Sequence, residues 1–173
     1  MERQDDDFTI RFAEMTVHKR KAVLQMLQAT GERHGTHIVC FDAEKIAGLQ
    51  HAAVAIRHAY RSFFSGNPIS NSFEMEALLY AAGTRQCANA ASFGIHEGEN
   101  YLYICCCPER EEAWKDLDGC VYFTGAPEEG VPAEKFPILA ALFDITPQEL
   151  DAAGRNRVVD LVIERIALLD VSK

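Results

Sequence analysis

The chain has 173 residues, 48% of them hydrophobic, and a formal net charge of −9. That length and apolar content suit one domain with a sizeable core, and the negative balance argues against a general nucleic-acid binder, whose nonspecific affinity comes from Lys and Arg on phosphates. No apolar run approaches the roughly twenty residues of a bilayer span, and Met1-Glu2-Arg3-Gln4-Asp5-Asp6-Asp7 is the opposite of a signal peptide. The expectation is a cytoplasmic protein without a membrane partner, with a disordered acidic tail over 1–7 and a single domain over 8–173.

Phe8, Ile10 and Phe12 alternate with Thr9 and Arg11, the pattern of a half-buried first strand. A helix follows, with Val17, Ala22, Leu24 and Leu27 along it and Gly31 as its end. His37 to Phe41 is a β-branched and aromatic run suited to a second strand, after which Asp42 is placed to cap a long helix from Ala43. Ile46, Leu49, Ala53, Ile56 and Tyr60 recur at threes and fours and predict its core face, while His51 and His58 read as surface. Gly66-Asn67-Pro68 stops it. Asn71 is then the expected N-cap of a helix whose buried stripe is Met75, Leu78, Leu79 and Ala82; Gly83 ends it, and Thr84 caps another that closes at Gly94.

Tyr101 to Cys107 has no polar face, which predicts a central strand. Glu109 to Leu117 reads as a short charged helix, Val121 to Phe123 as a strand, Gly125 to Pro132 as a loop and Ile138 to Phe143 as helical. Thr146-Pro147-Gln148-Glu149 is a capping box with proline at the first helical position, and Gly154 separates that short helix from the last. Without regular strand-helix-strand alternation the expected class is α+β, a single-domain sandwich with a small, mainly antiparallel sheet packed by helices.

Candidate chemistry is sparse. The glycines sit singly at helix ends and make neither a P-loop nor a dinucleotide fingerprint. Cys105, Cys106 and Cys107 are neighbours on one strand and do not bridge, Cys40 and Cys120 read as small hydrophobes, and no ligand pair has zinc spacing. No metal, cofactor or catalytic residue is therefore expected. A cysteine- or metal-dependent enzyme using Cys87, near a helix start, or the Cys105 to Cys107 strand is the alternative from another class.

Between Ala43 and Gly94, Lys45, Arg57, Arg61 and Arg85 outnumber Glu44, Glu74 and Glu76, so this is the least acidic stretch. Spacing alone leaves two roles open for its polar residues: Asn71 and Ser72 cap a helix or meet a ligand, and Arg85 and Gln86 tie two helices or meet a ligand. The last helix carries Val158, Val159, Leu161, Val162, Ile163, Ile166, Leu168 and Leu169, more than one core face requires. It is either central to the core or partner-facing.

The run Pro68-Ile69-Ser70-Asn71-Ser72-Phe73-Glu74-Met75-Glu76, then Gly83-Thr84-Arg85-Gln86, then Phe93-Gly94-Ile95, resembles the signature of the small tRNA-binding, kinase-associated subunit of the KEOPS complex, the Cgi-type family. A weaker similarity extends through Tyr101 to Cys106 and Arg155 to Asp170. The resemblance implies a non-catalytic subunit that binds the small atypical kinase subunit and the 3′ CCA end of tRNA. It would support threonylcarbamoyladenosine modification, whose chemistry belongs to a separate transferase subunit met indirectly. The implied tRNA-binding residues are Pro68, Ile69, Ser70, Asn71, Ser72, Phe73, Gly83, Arg85 and Gln86. They are pictured as one shallow groove: loop amides cradle phosphate, Ile69 and Phe73 wall the terminal base, Arg85 supplies charge, and Glu76 orients Arg85 or an amide. Glu74 departs from the aromatic residue some relatives carry. The implied kinase-facing residues are Val158, Leu161, Val162, Arg165 and Leu169. A kinase-binding scaffold without RNA binding is the nearer alternative.

Overall fold

A strand apolar on both sides needs a cover on both sides, and Tyr101 to Cys107 finds one. In the computed structural model, which describes residues 7–127 and 130–171, β3 (Gly98–Cys107) lies between β1 (Thr9–Val17) and β2 (His37–Asp42). The two-residue β4 (Tyr122–Phe123) adds to the far side of β1, and all pairings are antiparallel. Leu102, Ile104 and Cys106 point into a core with α1 (Arg20–His34) and α5 (Glu111–Asp118). Tyr103, Cys105 and Cys107 point into the other core, with α2 (Leu49–Phe64), α3 (Phe73–Ala82), α6 (Phe136–Phe143) and α8 (Val158–Val171). The short α4 (Cys87–Ala91) and α7 (Pro147–Ala153) complete the expected α+β fold. No helix among the described residues is long and apolar enough to cross a membrane. Of the expected acidic tail, all but Asp7 lies outside the described residues, as do two residues of the 125–132 loop.

Several boundaries differ from local expectation. β1 runs on through Val17, and α1 passes through Gly31 to a left-handed cap at Gly35. Gly31 serves a close approach instead: a Cβ there would stand 2.6 Å from the Thr36 carbonyl oxygen. Asp42 does not cap a helix. It ends β2, buried, with Oδ1 accepting the Glu44 N–H at 3.0 Å, and α2 starts only at Leu49.

The buried face of α2 is His51, Ala52, Ala55, Ile56, Ala59 and Ser62, whereas Leu49 is 48% exposed and Ala53 and Tyr60 half-buried. Small residues carry this contact because α3 lies close against them, and a stripe chosen by side-chain size misses it. The stripe of α3 is displaced too: Phe73, Ala77, Tyr80 and Ala81 are buried together with the expected Leu79, whereas Met75, Leu78 and Ala82 are only half so. The capping box at Thr146 is present with both bonds, the Glu149 N–H to Thr146 Oγ1 at 3.1 Å and the Thr146 N–H to Glu149 Oε2 at 2.8 Å.

His51 is fully buried rather than on the surface. Its Nδ1 accepts the Ala47 N–H at 2.9 Å, which leaves Nε2–H to donate to the Ala81 carbonyl at 2.8 Å. The neutral tautomer thus ties the turn before α2 to the end of α3, and burial lowers the ring's pKa to about 4 from its ordinary 6.5. The unfolded chain takes up this proton near 6.5 and the folded one only near 4, so stability is complete above that window and lost as pH falls through it. Urea unfolding between those limits should show the native protein losing up to about 3 kcal/mol more than His51→Gln, which has no proton to gain. Parallel pH profiles for the two proteins would exclude this account.

Candidate functional site

The segment between α2 and α3 is built around Glu76. Its carboxylate is fully buried, and a charge in that position is tolerated only when its oxygens are saturated by donors. Ser62 Oγ of α2 donates at 2.6 Å, the Ile69 N–H at 3.0 Å to both oxygens, and Ser70 through its N–H at 2.8 Å and its Oγ at 2.9 Å. Ser70 Oγ also lies 2.9 Å from the Ser72 carbonyl. The loop therefore turns its backbone inward, leaving Pro68, Asn71 and Ser72 exposed and Ile69 and Ser70 half-buried.

Ser72, not Asn71, is the N-cap: its Oγ accepts the Met75 N–H at 3.2 Å. Glu74 turns to β2, where His37 Nδ1 donates to its Oε1 at 2.7 Å. Desolvation opposes its ionisation, but this hydrogen bond, one from its own backbone N–H and the electrostatic attraction of His37 together outweigh it and hold the Glu74 pKa below its ordinary value. Phe73 is fully buried, 5.0 Å from His37 and 5.9 Å from Phe64 between ring centres, so it is core and walls no ligand.

The single groove pictured from the family resemblance is not formed. Gly83, Arg85 and Gln86 lie past the C-terminal end of α3 and the loop lies before its N-terminal end, so the ten residues of the helix hold them about 15 Å apart. Gly83 is the left-handed cap of α3, with φ of 63°, and a Cβ there would stand 3.7 Å from the Arg165 carbonyl oxygen. Arg85 is exposed, and Gln86 Oε1 accepts from Asn89 Nδ2 at 2.8 Å at the start of α4. Thr84 Oγ1 accepts the Gln86 N–H at 3.2 Å, a turn rather than a helix cap. Glu76 orients loop amides, and those of Ile69 and Ser70 are thereby withdrawn from any phosphate.

α8 divides. Val158, Val162, Ile166 and Leu169 are buried, Leu161 is half-buried, and Leu168 and Val171 are 52% and 81% exposed. Val158, Val162 and Leu169 are therefore core residues, not a partner surface, because this side of the helix packs against α2 and α3. Arg165 is a tie: Nε donates to the Phe143 carbonyl at 3.2 Å, and one terminal nitrogen lies 2.6 Å from Glu149 Oε1. Opposite, His58 Nδ1 meets Asp170 Oδ2 at 2.6 Å and stacks on Tyr80, whose hydroxyl donates to Asp170 Oδ1.

Residues 16–170 match the family described as kinase binding protein CGI-121. The chain belongs to this family. No curated protein matches it. In this CGI-121 family member the strand cysteines are poorly suited to thiol chemistry: burial pushes Cys40, Cys106 and Cys107 up to about 12, and Cys105 well above its ordinary value. Among the described residues no group of three His, Cys, Asp or Glu side chains is placed to hold a metal ion.

Sequence reasoning missed Ser62, His37, Tyr80 and Asp170, since each partner is distant in the chain and no local pattern marks them. Glu76 is separable by experiment from a surface acid. Glu76→Gln replaces one acceptor oxygen with an NH2 facing N–H groups, and it should cost about 1.5–3 kcal/mol in urea unfolding. Hydrogen exchange should quicken at Ile69 and Ser70 well before the core amides; unchanged protection there would show that the loop is held by other contacts.

Proposed function

We propose that this chain is a non-catalytic KEOPS subunit that binds the small atypical kinase and the 3′ CCA end of tRNA, in support of threonylcarbamoyladenosine formation by a separate transferase. The CGI-121 match over residues 16–170 carries the kinase part. For the surface, the support is on α8 and α6: Leu161, Leu168 and Val171 fall at spacings of seven and three along one side, and Ile138 and Leu142 of α6 are 47% and 36% exposed. Leu168→Asp should weaken association with the kinase about tenfold while leaving the unfolding midpoint in place, the expected scale for one central apolar contact. Undiminished binding by this variant would move the kinase surface elsewhere.

The RNA part rests on the exposed loop that Glu76 organises and on what joins it to Arg85. Met75, Leu78 and Ala82, at spacings of three and four, make a half-exposed apolar stripe along α3. A single-stranded end lying along this stripe meets Pro68, Asn71 and Ser72 at one end and Arg85 at the other. Such an end is recognised by stacking, base-edge contacts and a few phosphate contacts, which does not require a basic protein. Gel-shift titration should show Arg85→Ala weakening tRNA binding by about 1–3 kcal/mol, and the loss should disappear with tRNA lacking CCA, since both changes remove one interaction. Lys21→Ala, an exposed change on α1, should act equally on both RNAs. Equal losses for Arg85→Ala with and without CCA would show that the arginine is structural or touches another part of the tRNA, and absence of tRNA binding by the unaltered chain would leave it as a kinase-binding scaffold.

A further inference from the structure

One part of the sheet surface is uncovered by helices and carries an unusual trio. Cross-strand register sets Glu14 of β1 directly opposite Tyr101 of β3 and directly opposite Tyr122 of β4. Residues paired this way share a face with Cβ atoms about 4.5–5.5 Å apart, so the side chain of Glu14 leaves the sheet between those of the two tyrosines. Tyr101 is 41% and Tyr122 69% exposed, and Glu14 is exposed with them. Glu99, two residues before Tyr101 on the same face, adds a second exposed carboxylate. Among the described residues, the Glu14 side chain makes no ion pair or hydrogen bond, and no Lys or Arg shares its row.

The opposite face shows what such a combination holds. There Arg11, also on β1, places its guanidinium carbon 4.4 Å from the centre of the Trp114 ring and 6.0 Å from that of Phe123. Glu111 completes the arrangement, with a carboxylate oxygen 3.6 Å from an Arg11 nitrogen. Two aromatic rings and a carboxylate thus surround a cation that the chain supplies itself. On the Tyr101–Glu14–Tyr122 row the rings and the carboxylate are present without one.

We propose that this row docks an arginine or lysine side chain from a basic segment of a protein partner. The electrostatics choose this occupant: two carboxylates on a chain of net charge −9 attract a cation and repel the phosphates of RNA. Arginine fits better than lysine, because a planar guanidinium stacks on a ring while its edge meets the carboxylate. The row shares no residue with the surfaces proposed for the kinase or for tRNA, so it stands or falls separately from them.

The test is an NMR titration of the isotope-labelled full chain with a capped peptide of alternating glycine and arginine. Backbone shifts should concentrate at Glu14, Tyr101 and Tyr122, and the same peptide with neutral citrulline for arginine should produce none. Glu14→Gln should weaken binding about fivefold and Tyr122→Ala about threefold, the scale of exposed ion-pair and cation–π contacts. Asp118→Asn, an exposed acid at the end of α5 on the other side of the sheet, should leave it unchanged. Equal weakening by Asp118→Asn would show only general attraction to an acidic protein and overturn the proposal. So would shifts scattered away from the row, or displacement of the peptide by single-stranded oligocytidine acting on the same amides, which would make the row an RNA surface.

Discussion

A carboxylate removed from water sets the geometry of the α2–α3 connection. Glu76 is an acceptor only, and burying it is favourable overall only if every nearby donor turns towards it. Ser62, Ile69 and Ser70 do so, which draws the end of α2, the connecting loop and the first turn of α3 onto one point. The outer surface of the loop is a consequence: with two amides directed inward, what faces solvent is the ring of Pro68 and the side chains of Asn71 and Ser72. A negative charge already occupies the positive end of α3, so this helix start offers little to a phosphate and more to the face and edge of a base.

Histidine–carboxylate pairs extend the same logic across the fold. His37 with Glu74 joins β2 to α3, His58 with Asp170 joins α2 to α8, and His34 with Asp116, 2.6 Å apart, joins α1 to α5. Tyr80 strengthens the second of these by giving its hydroxyl to Asp170 while its ring lies against His58. The last turn of α8 is therefore held in place although its outer side chains are exposed. Where α3 ends, the Gly83 cap brings it against the backbone of Arg165, so the surfaces proposed for tRNA and for the kinase adjoin at this contact. A helix layer pinned from both sides presents them in a constant relation.

Much of the architecture follows from short-range patterns. The apolar run of β3, the capping box at Thr146 and the stops at Gly66–Pro68, Gly83 and Gly154 depend on alternation, side-chain oxygens and backbone freedom within a few residues, and local chemistry is sufficient for these. The family signature between Pro68 and Ile95 is likewise a matter of order and spacing, and it leads to the same family as the match over residues 16–170. Packing side and side-chain partner were decided at longer range. Alanines on α2 take the place of the larger side chains because α3 approaches them, Phe73 goes into the core because His37 and Phe64 close over it, and Val158, Val162 and Leu169 are buried because α8 lies on α2 and α3. Arg85 and the loop share a signature in the sequence yet stand at opposite ends of one helix. Periodicity reports which residues lie on a common side; which side meets another element depends on segments far away in the chain, and only the folded arrangement brings those segments together.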